Sequence, residues 1–197
     1  EIEFTLADLG ETLTKTYPNA ELGTYKVEET NANTNVPAGY TYETTEYEVG
    51  SEKTNEVTLE AGKTAGVTVV NKYTEQNGSL RIKKHVKINN EELTDATRSA
   101  ADGTFVFTIK QNGKTITGGK VNGQALENGQ VTIVVTDGVS NEVKVTDLEP
   151  GKYIVHEEDN EEGYSLTSDS TNDIEVTVTH GDTSAVPLAE FTNNKNG

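Results

Sequence analysis

A chain of 197 residues has room for one large domain or two modest ones, and a module of about 100 residues can bury a core of its own. Its 33 acidic and 16 basic residues leave a net charge of −17, which excludes a phosphate-backbone partner such as nucleic acid and disfavours an anionic membrane surface. There is no Cys, so disulfide frameworks and thiolate metal sites are excluded as well.

Hydrophobic residues make up 32 % and aromatics 6 %, a lean composition for an enzyme. The apolar residues are mostly Val, Ile, Leu and Tyr, the strand formers, and they recur in short alternating runs, which argues against disorder. No membrane-spanning run, signal peptide, lipidation motif or cell-wall sorting tail is recognisable; in a secreted or anchored parent these would lie outside residues 1–197.

In chain order, residues 1–28 have room for two or three strands. Gly23–Glu29 reads GTYKVEE, Gly39-Tyr40 follows, and Val67, Val69 and Asn71 alternate along a strand expected to end at the Asn. The polar stretch Lys72–Gly78 is a natural boundary, giving modules 1–74 and 75–197. Beyond it lies the strand GSLRIKKHV from Gly78 to Val86, and then Glu91–Ala101, the best helical candidate, good for one or two turns. Phe105, Phe107 and Ile109 share one face of a strand, as do Val131, Ile133 and Val135, then Val143 and Val145, then Ile174, Val176 and Val178. Turn signals punctuate these runs at Asp102-Gly103, Asn112-Gly113, Asn122-Gly123, Asn128-Gly129, Asp137-Gly138 and Pro150-Gly151. Many short strands with regular turns predict an all-β sandwich or barrel.

The sequence also repeats itself. GTYKVEE at 23–29 is matched by GKYIVHE at 151–157, Gly39-Tyr40 by Gly163-Tyr164, and the Val67, Val69, Asn71 run by Ala189, Phe191, Asn193. The acid-to-Asn spacing is 42 residues from Glu29 to Asn71 and 36 from Glu157 to Asn193. What precedes the acid differs: the second copy has all the strands from Gly78 onward, while the first looks as though it lacks its opening strands.

Alternation along Gly78–Val86 puts Leu80, Ile82, Lys84 and Val86 on the face that should be buried, with Arg81, Lys83 and His85 opposite. Glu157 shares a face with Tyr153 and Val155, and Asn193 with Phe191. A strand lysine can also bury its stem and hold its ammonium at water, and a one-residue slip would exchange Lys84 for Lys83 and Glu157 for Glu158. Three inward polar side chains in one module nevertheless suggest mutual satisfaction. Desolvation favours the neutral forms of amine and carboxyl alike. A neutral amine is a nucleophile, and a protonated carboxyl can polarise an amide carbonyl. Attack on the Asn side chain with loss of ammonia would leave a covalent Lys–Asn isopeptide bond, with folding supplying the proximity.

The succession GSLRIKK, GKYIVHE, Gly163-Tyr164 and EFTNN resembles the collagen-binding-protein B-type (CnaB) modules of Gram-positive pilins and surface adhesins. The resemblance covers 78–195 as a whole module and 1–74 as the latter part of one. It implies two tandem immunoglobulin-like sandwiches, the first N-terminally incomplete, and a self-formed isopeptide bond. It implies Lys84 as nucleophile, Asn193 as acceptor and Glu157 as the assisting acid, with Glu29 and Asn71 as their counterparts in the first module. The reactive Lys belongs on the opening strand, and Lys15, only 14 residues before Glu29, better fits a late strand or its loop. No bond is therefore expected inside the first module unless another segment supplies the lysine.

The function expected from this resemblance is a stalk module of a cell-surface pilus or adhesin, extracellular and anchored to the cell wall. Its partners would be neighbouring modules or pilin subunits, with no cofactor and no enzymatic turnover. Two alternatives remain: a host-ligand-binding adhesin module using Tyr40, Tyr42 and Tyr47, and an accessory domain of a secreted hydrolase. His85, His156 and His180 are scattered and suggest no metal site, and the acidic loop Glu157–Glu162 lacks calcium-loop spacing. Asn77-Gly78-Ser79 matches a glycosylation sequon, which means little in a bacterial protein. No Ser, His and Asp stand in a triad context.

Overall fold

The computed structural model describes residues 1–5, 9–160, 163–166 and 171–196. Among these the regular structure is β-strand, apart from single turns of 3-10 helix at Arg98–Ala101 and His180–Asp182. The fold is all-β. Of the helical candidate at Glu91–Ala101 only the last turn forms, ending where Asp102 turns extended and leads straight into a strand at Gly103.

The chain divides into two compact units. One comprises Glu1–Thr34 and Glu43–Lys72, the other Asn35–Tyr42 and Tyr73–Gly197. A single cut at residue 74 would place Asn35–Tyr42 elsewhere; its backbone explains the membership. Gln76 N–H donates to the Gly39 carbonyl at 2.8 Å, Gly181 N–H donates to that of Gln76 at 3.0 Å, and the Tyr40 ring lies 4.8 Å from that of His180.

The strands run β1 (Gly23–Lys26), β2 (Tyr40–Glu48), β3 (Glu56–Leu59) and β4 (Thr68–Glu75), then β5 (Gly78–Ile88), β6 (Gly103–Gln111) and β7 (Lys114–Thr115). Next come β8 (Lys120–Val121), β9 (Gln124–Ala125), β10 (Gln130–Val135) and β11 (Val143–Leu148). The last are β12 (Gly151–Glu157), β13 (Tyr164–Leu166), β14 (Asp173–Val178) and β15 (Leu188–Lys195).

The second unit is an immunoglobulin-like sandwich. One sheet has the order β10-β6-β12-β14 with β7 added to β6, and the other the order β13-β15-β5-β11-β8-β9. Their inner faces meet in one core, to which β5 brings Leu80, Ile82 and Val86, β6 brings Phe105, Phe107 and Ile109, and β15 brings Ala189 and Phe191. The turn chemistry follows the sequence closely. Both residues of Asn112-Gly113, Asn122-Gly123, Asn128-Gly129 and Asp137-Gly138 have positive φ, as type I′ turns require. Asp102-Gly103 instead opens β6. In β11 the alternation fails: a register shift between Val145 and Leu148, with Asp147 at φ 58°, buries Val145 and Leu148 and leaves Val143 half-buried.

β15 lies parallel to β5, with Phe191 opposite Lys84 and Asn193 opposite Val86. Both this strand and β4 continue past the Asn at which they were expected to end, to Lys195 and Glu75.

In the first unit β1 pairs with β3, and β2 pairs with β4. Its β1–β3 ladder reproduces the β12–β14 ladder: Gly23 faces Leu59 and Tyr25 faces Val57, as Gly151 faces Val178 and Tyr153 faces Val176. The two glycines have φ of 147° and 144°, and Gly39 and Gly163 have 81° and 79°. Tyr25 and Tyr153 each donate their hydroxyl to the carbonyl four residues back, of Glu21 at 2.5 Å and Glu149 at 2.6 Å. The sequence repeat is thus a repeat of backbone geometry. Burial differs sharply. Among the described residues of the first unit only Ala32 is buried, and Leu22, Tyr25 and Val69 are exposed.

Candidate functional site

The site in the second unit starts from the pleat. Alternation along β5 sends Lys84 inward between Ile82 and Val86, alternation along β12 does the same for Glu157 after Tyr153 and Val155, and β15 sends Asn193 inward after Phe191. All three are buried, at 4 %, 4 % and 1 % exposure. Lys84 and Asn193 stand on adjacent parallel strands of one sheet, and Glu157 faces them from the other.

Glu157 joins the other two. Lys84 Nζ donates to Glu157 Oε2 at 2.7 Å, and Asn193 Nδ2 donates to Glu157 Oε1. The Lys84 ammonium also lies 4.2 Å from the centre of the Phe105 ring. Phe107 and Phe191, with ring centres 4.9 Å apart, help to close the surroundings with hydrocarbon. Burial lowers the Lys84 pKa from 10.5 to about 8, against the opposing pull of the Glu157 carboxylate. Asn193 Oδ1 is buried with no hydrogen-bond partner, the one such side-chain atom found among the described residues. A carbonyl oxygen without a donor, beside a lysine that loses its proton readily and a carboxylate able to take it, is an arrangement suited to acyl transfer onto nitrogen.

The one-residue alternatives point elsewhere. Lys83 is exposed, and Glu158 is half-buried and accepts the Thr108 hydroxyl at 2.6 Å. His85 lies 3.0 Å from Glu92, and His156 2.8 Å from Asp173, both on outward faces. Asn77 donates to Asp147 at 2.8 Å. In the acidic loop Glu157–Glu162, Glu161 and Glu162 lie outside the described residues. The contribution of Phe105 was not singled out from sequence; its place in the Phe105, Phe107, Ile109 alternation marked it only as core.

In the first unit Asn71 Nδ2 donates to Glu29 Oε1 at 3.0 Å, and the Thr45 hydroxyl donates to Asn71 Oδ1 at 2.7 Å. Glu29 is exposed and Asn71 half-buried. Lys15 lies outside any strand, exposed, with Nζ donating to the Glu3 carbonyl. Tyr40, Tyr42 and Tyr47 are half-buried residues of β2, and the Tyr47 hydroxyl accepts the Glu29 N–H at 2.9 Å.

No family model and no curated protein matches this chain. Among solved structures it is similar to a pilus-presented adhesin at 21 % identity and TM-score 0.39, over 61 % of this chain and 28 % of that one. It is similar to a minor pilin of Streptococcus agalactiae at 15 % identity and TM-score 0.41, over 82 % and 62 %. It is also similar to the major pilin of Streptococcus pyogenes at 21 % identity and TM-score 0.39, over 92 % and 73 %. The chain thus spans little more than a quarter of the adhesin's length.

Proposed function

We propose that the second unit ties its first strand to its last through an isopeptide bond between Lys84 and Asn193, assisted by Glu157, and that the chain is a CnaB-type structural module of a Gram-positive cell-surface pilus or adhesin. The observation that carries this reading is the buried set itself: Lys84 and Asn193 both held by one Glu157 carboxylate, with Asn193 Oδ1 left without a donor.

The chemistry uses only these residues. A proton passes from the Lys84 ammonium to Glu157 along their hydrogen bond, leaving a neutral amine and a carboxylic acid. Half a turn about the Asn193 Cβ–Cγ bond brings Oδ1 to that acid, which then donates to it and polarises the carbonyl. Nζ attacks Cγ, the Cγ–Nδ2 bond breaks, Glu157 returns a proton to the departing nitrogen, which leaves as ammonia, and the carboxylate takes up the proton that Nζ sheds in becoming the amide N–H. The event happens once per molecule, so the protein is not an enzyme.

The mechanical role follows from topology. β5 is the first strand of the sandwich and β15 its last, and the two are parallel neighbours, so tension on the ends shears the β5–β15 ladder. A covalent tie there carries the load in place of hydrogen bonds and slows unfolding, the kinetic robustness that disulfides supply elsewhere. A surface location, with neighbouring modules or pilin subunits as partners, belongs to the same reading. So does the division into a first module at 1–74 and a second at 75–197.

Intact-mass spectrometry tests it. The purified chain should weigh one ammonia less than its sequence, and Lys84→Ala and Asn193→Ala should each restore the full mass. A wild-type mass equal to that of the sequence would sink the bond.

A further inference from the structure

Glu157 stands on the last rung of β12. The ladder with β14 ends at His156, opposite Asp173, and the ladder with β6 ends at Glu157, opposite Phe107. Two backbone bonds continue the pairing, Glu157 N–H to the Asn172 carbonyl and Glu158 N–H to the Val106 carbonyl, each at 2.8 Å. Strand ends fray readily, yet this one must hold a single carboxylate against both Lys84 and Asn193.

The outer face of the sheet supplies what the ladder lacks there. His156 and Glu158 bracket Glu157 in sequence, so the pleat turns both of them outward. β10, β6, β12 and β14 bring Gln130, Thr108, His156 and Asp173 into one cross-strand row, residue opposite residue. His156 Nδ1 and Asp173 Oδ1 are 2.8 Å apart, which ties β12 to β14. The Thr108 hydroxyl donates to Glu158 Oε1 at 2.6 Å, which ties the residue after Glu157 to β6. Gln130 Nε2 donates to the same hydroxyl at 3.5 Å and extends the row to β10. His156 Nε2 lies 3.8 Å from Glu158 Oε2, so the two ties meet. Thr108 alternates with the inward Phe107 and Ile109 and so belongs to the outer face, yet it is only 6 % exposed. The row covers it.

We propose that Thr108 and Glu158 are positioning residues for the Lys84–Asn193 reaction: they pin the backbone just past Glu157 and so hold its carboxylate where it reaches both partners. The inference rests on the isopeptide reading and adds to it two side chains on the opposite face of the sheet from the reacting groups. The argument is one of direction. A strand residue's Cα–Cβ bond follows from the peptide planes on either side of it, so fixing positions 156 and 158 aims the side chain of 157. Glu157 is long, and a small tilt at its Cα is magnified at its carboxylate oxygens. A displacement of about 1 Å near a reacting group can cost about a hundredfold in rate, so loss of the tie should register in the chemistry first. The fold should survive that loss, because Glu158 is half-buried and water can replace the hydroxyl.

The test follows mass and folding side by side in chain recovered unfolded and refolded at neutral pH. Intact mass at intervals gives the rate of ammonia loss, and far-ultraviolet circular dichroism gives the rate of folding. Thr108→Val and Glu158→Ala should each slow ammonia loss about tenfold while folding stays within about twofold of wild type. Thr108→Ser keeps the hydroxyl and should restore most of the rate. Glu158→Gln keeps an acceptor oxygen and should fall between wild type and Glu158→Ala. The double variant Thr108→Val, Glu158→Ala should be no slower than the slower single one, because both remove the same tie. Ammonia loss at the wild-type rate in both single variants overturns the proposal. So does a slowing matched by an equal slowing of folding, which marks a purely structural role, and so do losses that multiply in the double variant. A wild-type chain that keeps its full mass removes the bond and the positioning role together. A wild type that loses ammonia beside unaffected variants removes the positioning role alone.

Discussion

Lys84 and Glu157 meet across the interior of a sandwich, each from a different sheet, at 2.7 Å and with almost no exposure to water. A buried ion pair is weak evidence for stability, since desolvation offsets much of the Coulomb attraction. Here the amine is already shifted toward neutrality, to a pKa of about 8, and the second carboxylate oxygen is engaged by an amide whose own oxygen has no donor. That combination is better suited to reaction than to holding two charges.

The first prediction separates chemistry from packing at Glu157. Glu157→Gln can neither take the lysine proton nor return it, so the protein should fold and keep its full sequence mass. It should also lose about 3 kcal/mol in urea unfolding relative to the unbonded Asn193→Ala protein, because Lys84 is left without its carboxylate. Adding Lys84→Met should recover most of that loss. A single variant that still sheds ammonia removes Glu157 from the mechanism.

The pH dependence of bond formation reads the proton inventory. Below about 8 the Lys84 amine carries the proton that it must pass on before it can attack. Above about 8 that proton is lost, leaving a neutral amine beside a carboxylate that cannot donate. In chain recovered unfolded and then refolded at a series of pH values, the rate should fall as pH rises past about 8, approaching tenfold per unit. A rate that climbs to that pH and then levels would mean that only the amine must lose a proton.

Phe191 tests how far the site depends on its hydrocarbon walls. It is fully buried, faces Lys84 across the β5–β15 ladder and packs on Phe107. In the Asn193→Ala background, Phe191→Ala should cost about 3–5 kcal/mol by urea unfolding. With Asn193 intact it should slow ammonia loss on refolding as well, because the cavity admits water to the amine.

The duplicated tyrosine hydrogen bond allows a comparison at fixed geometry. Tyr153→Phe strips a 2.6 Å bond from a ring that is 3 % exposed, and should cost about 1–2 kcal/mol. Tyr25→Phe removes its counterpart from a ring that is 39 % exposed, where water replaces the donor, and should cost within about 0.5 kcal/mol. Hydrogen exchange at the flanking amides would report both.

Gly39 and Gly163 share a left-handed backbone, so alanine at either pays a strain of about 1–2 kcal/mol. A Cβ at Gly39 would also come within 2.8 Å of the His180 carbonyl, whereas one at Gly163 meets nothing within 4 Å among the described residues. Gly39→Ala should therefore lower the melting temperature more than Gly163→Ala.

Much of this was legible in one dimension because strand chemistry is local. Period-two alternation sends Lys84, Glu157 and Asn193 inward whatever the neighbours are, and Asn-Gly and Asp-Gly pairs turn the chain wherever φ must be positive. Where local rules failed, a tertiary interaction intervened. The bulge at Asp147 re-aims Leu148 to suit the core, and β4 and β15 run past their Asn because backbone pairing continues. Asn35–Tyr42 belongs to the second unit through the Gln76 N–H bond to the Gly39 carbonyl and the contact of the Tyr40 ring with His180, which no periodicity encodes.

By itself, then, the sequence determined the strand class, the repeat, and which polar residues face inward, since each depends on neighbours a few residues away. Only the tertiary structure decided that β15 lies parallel beside β5 and that Glu157 reaches both Lys84 and Asn193 from the opposite sheet. Pairing between strands separated by about a hundred residues is chosen by the fit of whole faces, and no local pattern carries that information.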